Sequence, residues 1–381
     1  MARNTNGDGF SLKDELFNAK KVSYLAGRLA LADSAFDQAG FETAVMSKLA
    51  SLELKERIVH IAACLEQYLA PDFDQAVAHI KAALPAPLDP TKTDDDFGDF
   101  IFAPFGTWVV RNGLSAERVE VSLGLLKEIT MRFSMEDAIR AFINEHPEKT
   151  KETLAVWAND ENYHVRRLVS EGPRPLLPWS TRLVHDHTWG LSFLNDLYSD
   201  STRYVVRSVA NHLNDIAKIE PDLVVRTLSR WAAEGKQEAA EFQWLQKHTL
   251  RTLVKQGHRD ALQLLGYSPQ PQITVSNLAV NSDKVRVGEA AEFSFEVQAE
   301  REESLMIDYV LHFMKANGTQ KPKVHKLTSL TLQAGETKAF SKQHVFKANA
   351  RTLQYYPGEH TVTIQINGRQ FGSITFELKT A

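Results

Sequence analysis

Up to about Gly266 the apolar positions recur at helical spacing. Leu12, Leu16, Ala19 and Val22 fall on one predicted helix face, as do Leu52, Leu54, Ile58, Ile61 and Leu65. Runs of this kind, roughly 10–20 residues long, are broken by Pro, Gly or Asp. The longest break is Pro85–Phe100, PAPLDPTKTDDDFGDF. Beyond Tyr267-Ser268-Pro269-Gln270-Pro271 the period changes to two, through Ile273, Val275 and Leu278, then Val285–Val287, Phe293–Val297 and Ile307–Phe313. Asn367-Gly368, between the alternating runs Thr361–Ile366 and Phe371–Phe376, is a strong hairpin signal. The pattern divides the chain into a helical part, residues 1–267, and a small all-β part, residues 272–381. The β part reads as an immunoglobulin-like sandwich without the cysteine pair of antibody domains.

The helical part repeats at a shift of 40. Asp160, Val165 and Arg167 match Asp200, Val205 and Arg207. Extended both ways, positions 125, 165, 205 and 245 are all aliphatic and positions 127, 167, 207 and 247 are all basic. A helix pair of this length is the period of HEAT-like repeats, which stack into an α-solenoid because no single pair buries its apolar side. One helical turn beyond the basic column stand Met131, Glu171, Asn211 and Arg251. Positions i and i+4 share a face, so both columns are expected to line one surface, the concave one in a solenoid. A plainer alternative is a solvated face with ion pairs inside each repeat, Asp160 to Arg167 and Asp200 to Arg207.

The net charge of −4 does not by itself favour a polyanionic partner. Its distribution qualifies that. Residues 1–100 hold 10 Lys and Arg against 16 Asp and Glu, whereas residues 201–260 hold 10 against 7 and residues 272–381 hold 13 against 11. A basic surface in the later repeats is therefore compatible with the composition. The single cysteine, Cys64 in an apolar run, excludes a disulfide framework and a cysteine-based zinc site. No apolar run is long enough to span a bilayer, and the first residues lack a signal-peptide core. The expectation is a cytoplasmic, monomeric protein with no membrane partner.

The densest segment is residues 157–179, WANDENYHVRRLVSEGPRPLLPW. It resembles the AlkC branch of the AlkC/AlkD alkylation-repair DNA glycosylases, in which a stretch of the form HVRRLxSEGxRPxLPW is a hallmark. Residues 130–142, TMRFSMEDAIRAF, are similar to a second family stretch close to TxRFTxEFAIRPF. Residues 244–257, WLQKHTLRTLVKQG, and more loosely the region from Leu12 to Ile58 also fit, so the resemblance covers nearly all of residues 10–267. It implies a HEAT-repeat enzyme that grips double-stranded alkylated DNA and excises cationic N-alkylated bases, chiefly 3-methyladenine. It further implies that the base is not flipped into a pocket, unlike the usual strategy of enzymes acting on bases. Alkylation makes the base a good leaving group. The sugar left behind is oxocarbenium-like, and a carboxylate near C1′ stabilises it and handles the incoming water. Neither a cofactor nor a metal is required.

The carboxylates that match the family stretches are Glu136 and Glu171, with Asp137, Asp160 and Glu161 as competitors. Glu136 reads as first-turn residue of a helix capped by Ser134, with Asp137 at the capping-box position. A helix-dipole role is its plainer alternative. Glu171 ends the helix that carries Arg166 and Arg167, an electrostatically unfavourable place that asks for a functional account. Arg166, Arg167, Arg174 and Arg207 are the expected phosphate contacts. Arg166 and Arg167 point about 100° apart on a helix, so one faces the groove and the other the Asp ladder or the packing. Trp157, Trp179 and Trp189 are candidates for stacking on DNA, with a core role as the alternative for each. His164, Asn211 and His212 fall near the same surface by register, Asn211 in the column of Glu171.

Three weaker signals are set aside. His185-Asp186-His187 has no evident third ligand for a metal. Asp94–Asp99 looks like a calcium loop but lacks the glutamate at its twelfth position, where Phe105 stands. Asn317-Gly318-Thr319 is a sequon only in a secreted chain. Lys321, Lys323 and Lys326, with His325, read equally as a DNA clamp or as a lysine-protected edge strand. The rival to the enzyme is a non-catalytic HEAT-repeat scaffold that binds a protein or DNA structures.

Overall fold

A computed structural model describes residues 11–92, 96–348 and 354–379. Its first helices are α1 (Leu12–Leu16), α2 (Ala19–Ala32), α3 (Gln38–Leu49), α4 (Leu54–Tyr68) and α5 (Phe73–Ala83). After the long interruption come α6 (Ala103–Gly113), α7 (Val119–Thr130), α8 (Ile139–Glu145), α9 (Pro147–Trp157) and α10 (Tyr163–Glu171). The series ends with α11 (Leu191–Leu197), α12 (Arg203–Ala217), α13 (Pro221–Glu234), α14 (Ala239–Lys255) and α15 (Arg259–Leu264). Several helices begin where a short polar side chain takes a free backbone N–H. Asn18, Asp37, Asp72 and Asn162 accept from Lys21, Gly40, Gln75 and His164. The Asn18 cap also corrects the sequence reading. It splits the continuous face expected over Leu12–Val22 into α1 and α2, because its carboxamide starts a new helix.

The chain packs as two units. One takes the chain up to Ile219 together with Gly235–Leu245; the other takes Glu220–Glu234 and the chain from Gln246 onward. The change from helix to strand falls at the proline-containing linker, with the first strand starting at Ile273. The strand-bearing unit nevertheless also takes α13, α15 and the end of α14.

In the helical unit the 40-residue repeat is visible in the packing. Leu125, Val165, Val205 and Leu245, the aliphatic column, are each 0% exposed. The aspartates of the repeat pair differently from the ladder expected within each repeat. Asp160 takes Lys127 at 2.5 Å and Asp200 takes Arg166 at 2.6 Å, so each bridge runs back to the preceding repeat. The geometry favours this because each aspartate also accepts a backbone N–H at the entry to its own helix. Asn162 donates to Asp160 and Thr202 donates to Asp200, which holds the carboxylate facing backward along the stack.

The second unit holds two sheets. One has the order β1 (Ile273–Val280), β3 (Ala290–Ala299), β6 (Thr337–Val345). The other has the order β2 (Lys284–Arg286), β8 (Arg369–Lys379), β7 (Gly358–Ile366), β4 (Glu303–Met314), β5 (Gln320–Leu332). All pairings are antiparallel except β2 with β8. Phe293, Phe295 and Val297 from one sheet interleave with Ile307, Leu311, Val362 and Ile364 from the other, the alternation a half-buried strand requires. The Asn367-Gly368 hairpin is present, with both residues at positive φ, 46° and 77°. Asn367 is buried and holds the hairpin in place. Its amide donates to the carbonyls of Ser268 and Ser304, and its carbonyl accepts from Met306 N–H. Gly368 meets Gly257 backbone to backbone, so close that a Cβ on Gly368 would stand 2.2 Å from the Gly257 Cα. Lys321, Lys323 and Lys326 lie on β5, an edge strand.

Burial of imidazoles makes this sandwich acid-sensitive. Burial and the nearby His325, Lys323, Lys342 and His360 lower the pKa of His344 to about 4. Burial also lowers the values of His312, His325 and His360. The unfolded chain takes up these protons near pH 6.5 while the folded chain does not, so stability is full above that value and falls between it and about 4. Asp308 runs the other way, its carboxyl raised to about 6 by burial against the partial relief of Lys326 and Lys255. The thermal midpoint followed by calorimetry is expected to drop from pH 7 to pH 4.5, with a shallower slope in His344→Gln.

Candidate functional site

The repeat brings two helices side by side. α10 presents Arg167 and Glu171 at i and i+4. α12 presents Tyr204, Arg207, Ser208 and Asn211, which share its face toward α10. The turn before α8 adds Glu136, the segment after α10 adds Arg174, Leu177 and Pro178, and Phe97 comes from the segment before α6. Together they enclose a cleft of about 280 Å³.

Arg167 is the centre of this cleft. Its Nη1 donates to Glu136 Oε2 at 2.6 Å and to Ser134 Oγ at 2.6 Å, and its Nη2 lies 3.6 Å from Glu171 Oε1. Its guanidinium stands over the Tyr204 ring at 4.7 Å and over Phe97 at 5.8 Å. Burial alone would disfavour this charge, but the two glutamates outweigh it and hold the guanidinium ionised. Arg174 bridges Glu171 Oε1 at 2.5 Å and Asp215 Oδ2 at 3.0 Å. Arg207 lies 5.5 Å from the Tyr204 ring centre.

The two glutamates differ in what surrounds them. The Glu171 side chain is 5% exposed. Its Oε1 serves Arg174 and Arg167, and its Oε2 accepts from Ser208 Oγ at 2.6 Å. Burial pushes its pKa up, but Arg167, Arg174 and Ser208 overcome this and keep it below the usual carboxylate range. Those donors also offset the unfavourable helix terminus that singled out Glu171 in the sequence. The Glu136 side chain is 30% exposed. Both its bonds, from Ser134 Oγ and from Arg167, fall on Oε2. Among the described residues Oε1 has no partner, which leaves it for the cleft.

Glu136 does not lie in a first helical turn, as the spacing suggested. α8 starts at Ile139, and Ser134 donates to the glutamate rather than capping the backbone. Asp137 is exposed and turns away from the cleft, into a neighbouring groove. Arg166 is taken up by Asp200 and by the carbonyls of Asp160 and Glu161, so of the two adjacent arginines it is Arg167 that faces the cleft. His164 and His212 are buried, and burial lowers both to about 4, leaving them uncharged at neutral pH. Neither offers a cation to a phosphate. His164 is packed against Tyr163 and Tyr204, and His212 Nδ1 donates to the Ser170 carbonyl. Trp157 is core. Trp189 is half-buried beside His185, Phe193 and Lys151, outside the cleft. Trp179 is 76% exposed at a φ of 70°. It stands on a larger groove of about 540 Å³ whose walls include Leu54, Ile58, Phe100, Phe133 and Met135 and which shares Phe97, Glu136 and Pro178 with the cleft.

Sequence reasoning missed Tyr204, Ser208, Asp215 and Phe97, and gave Ser134 only as a helix cap. Tyr204 and Ser208 had a signal: with Arg207 and Asn211 they form an i, i+3, i+4, i+7 stripe. Among the described residues no three His, Cys, Asp or Glu side chains converge to hold a metal ion. His185 bonds the Ile143 carbonyl, and Asp186 accepts from Thr188. Asp94 and Asp95 of the calcium-like stretch lie outside the described residues. Among the described residues no helix is long and apolar enough to cross a membrane.

Known proteins match this chain over most of its length. Residues 274–380 match the family model described as the C-terminal Ig-like domain of YhaZ. The uncharacterized protein YhaZ of Bacillus subtilis (strain 168) is 31% identical over 368 residues, covering 96% of this chain and 98% of that protein. The alkylpurine DNA glycosylase AlkC of Pseudomonas fluorescens, solved bound to DNA containing an abasic site analog, superposes with a TM-score of 0.86 at 31% identity, covering 97% of this chain and 100% of that one. Matched at this level over nearly its whole length, the chain belongs with YhaZ to the AlkC branch of the AlkC/AlkD family.

Proposed function

We propose that the protein is a DNA glycosylase that hydrolyses the N-glycosidic bond of cationic alkylated bases, chiefly 3-methyladenine, in duplex DNA without flipping the base. The observation that carries this reading is Glu136, a residue of the cleft wall with one carboxylate oxygen clamped by Arg167 and Ser134 and the other without a partner among the described residues. The AlkC neighbour supports it by its own activity and bound DNA. As the C1′–N bond breaks, its electron pair leaves with the base, which becomes neutral, and positive charge develops on the sugar. The free Oε1 of Glu136 faces that charge and takes the proton of the water that adds to C1′. Ser134 and Arg167 fix the carboxylate before the reaction starts, so no reorganisation is needed as the charge appears. Glu171 is the positioning carboxylate: it holds Arg167 and Arg174 and does not face the sugar.

Arg207, half-buried on the cleft face of α12, contacts a phosphate, with Asn211 beside it. Of the three candidate tryptophans Trp179 is the one available to DNA, where an aromatic face stacks on an exposed base or sugar.

Release of 3-methyladenine from methylated duplex is expected for the wild-type protein. With Glu136→Gln it should fall by on the order of 10²-fold or more with duplex affinity little changed, and the melting temperature should drop because Arg167 loses its nearest carboxylate. Glu171→Gln should lose more stability along with release, since two buried guanidiniums lose an ionic partner, a change worth up to roughly 3–5 kcal/mol. Equal release by wild type and Glu136→Gln rejects the assignment. Arg207→Ala should weaken binding to any duplex and reduce the slope of log affinity against log salt by about 1; an unchanged slope removes Arg207 from the phosphate contacts.

A further inference from the structure

We propose that Arg140 is a positioning residue of this site: it touches neither the cleft nor the groove, yet clamps the segment that carries Arg174, Pro178 and Trp179 onto the helix that follows Glu136. The inference rests on the glycosylase reading for its kinetic consequences and on geometry alone for its structural ones. Arg140 belongs to α8 and is 1% exposed. Its Nε donates to the Thr181 carbonyl at 2.5 Å, and its Nη1 donates to the carbonyls of Gly172 and Arg174 at 2.6 Å and 2.8 Å. One side chain thus fastens both ends of residues 172–181. Gly172 directly follows Glu171, and between the fastened ends lie Leu177 and Pro178 of the cleft wall and the exposed Trp179.

The clamp requires arginine. A guanidinium presents its donors in a rigid planar fork, whereas an ammonium is a point donor that cannot reach three carbonyls spread over this segment. Among the described residues the buried cation has no bonded carboxylate, and its bonded partners are backbone carbonyls. Removing it leaves those acceptors unsatisfied.

Further contacts make the same helix a template. Asn144 donates to the Arg182 carbonyl at 3.1 Å and accepts from Val184 N–H at 3.0 Å, and His185 Nε2 bonds the Ile143 carbonyl. At Gly172 a Cβ would meet Ile139 Cγ2 at 2.6 Å, so the segment lies directly on the first residue of α8. Trp179 supplies the reason for such a clamp. A left-handed backbone at a tryptophan is strained and persists only where its neighbours impose it. The Arg140 bond to Thr181, two residues on, and the Lys55 ammonium on the Trp179 carbonyl impose it here.

The test uses the full chain as wild type, Arg140→Lys and Asn144→Ala, each also in a Trp179→Ala background. Trp179 is monitored without DNA by acrylamide quenching of its emission, isolated by difference from Trp179→Phe. Single-turnover release of 3-methyladenine at saturating enzyme and duplex affinity are then measured. Arg140→Lys is expected to alter the quenching of Trp179. It should slow release at saturation by on the order of 10²-fold, the scale of a misplaced catalytic geometry, a larger factor than its loss of affinity. The loss should shrink in the Trp179→Ala background, since both changes act through one segment. Unaltered quenching, an undiminished release rate, or losses that simply add overturn the proposal. Should Arg140→Lys not fold, Asn144→Ala decides it: altered quenching and slowed release support the template, and wild-type values reject it. If the wild-type protein releases no base, the glycosylase reading fails, and the quenching measurement alone judges Arg140.

Discussion

The arrangement around Arg167 depends on keeping three carboxylates and two guanidiniums together in a space that excludes much of the water. An isolated charge there would be expelled or neutralised, because burial in a low-dielectric medium costs several kcal/mol per ion. The cost is met by alternation. Arg167 stands between Glu136 and Glu171, and Arg174 stands between Glu171 and Asp215. Each anion therefore meets a cation before it meets another anion. Tyr204 and Phe97 carry the faces of the Arg167 guanidinium while its edges are bonded, which fixes the fork in one orientation. Within this network Glu171 is saturated and Glu136 is not. The two carboxylates are thus told apart by hydrogen-bond count, a quantity that two similar glutamates in a sequence do not reveal.

Much of the architecture was legible because it rests on periodicity. The aliphatic column at 125, 165, 205 and 245 is wholly buried, and the Asn367-Gly368 turn forms where the alternation required it. The columns at i and i+4 also placed Arg167, Glu171, Arg207 and Asn211 on one surface. What escaped depends on distances between elements. Asp160 and Asp200 were matched with arginines of their own repeat, but a side chain turned backward by its own Asx turn reaches the repeat before. His164 and His212 read as surface polar groups by register and are buried, since a helix in the middle of a stack packs on more than one side. Phe97, which has no place in the repeat, reaches the cleft from an irregular segment that no period describes.

The repeat also shows how one scaffold position serves two ends. Lys127 and Arg167 occupy the same column, one helix pair apart. Lys127 spends its charge on Asp160, and the link is a strut between repeats. Arg167 is released from that duty because its neighbour Arg166 holds Asp200 instead. Two adjacent arginines therefore divide the work: one continues the strut, and the other is free to organise the glutamates. A single arginine at this step of the stack would have to give up one role. That accounts for the Arg166-Arg167 pair where the other registers carry one basic residue in the column.

A similar division separates residues on helices from residues on turns. The cleft is walled by side chains from α10 and α12, regular elements whose spacing is set by packed aliphatic residues. Glu136 and Trp179 come instead from turns on either side of α8 and α10, where helical geometry imposes nothing. A turn residue keeps a fixed direction only if polar contacts replace the missing helical bonds. Glu136 obtains them from Ser134 and Arg167, and the segment of Trp179 obtains them from Arg140 and Lys55. Precision at these two turn residues thus comes largely from charged donors that are themselves anchored on helices. A lysine or glutamine in place of either arginine would keep the helices and lose the aim.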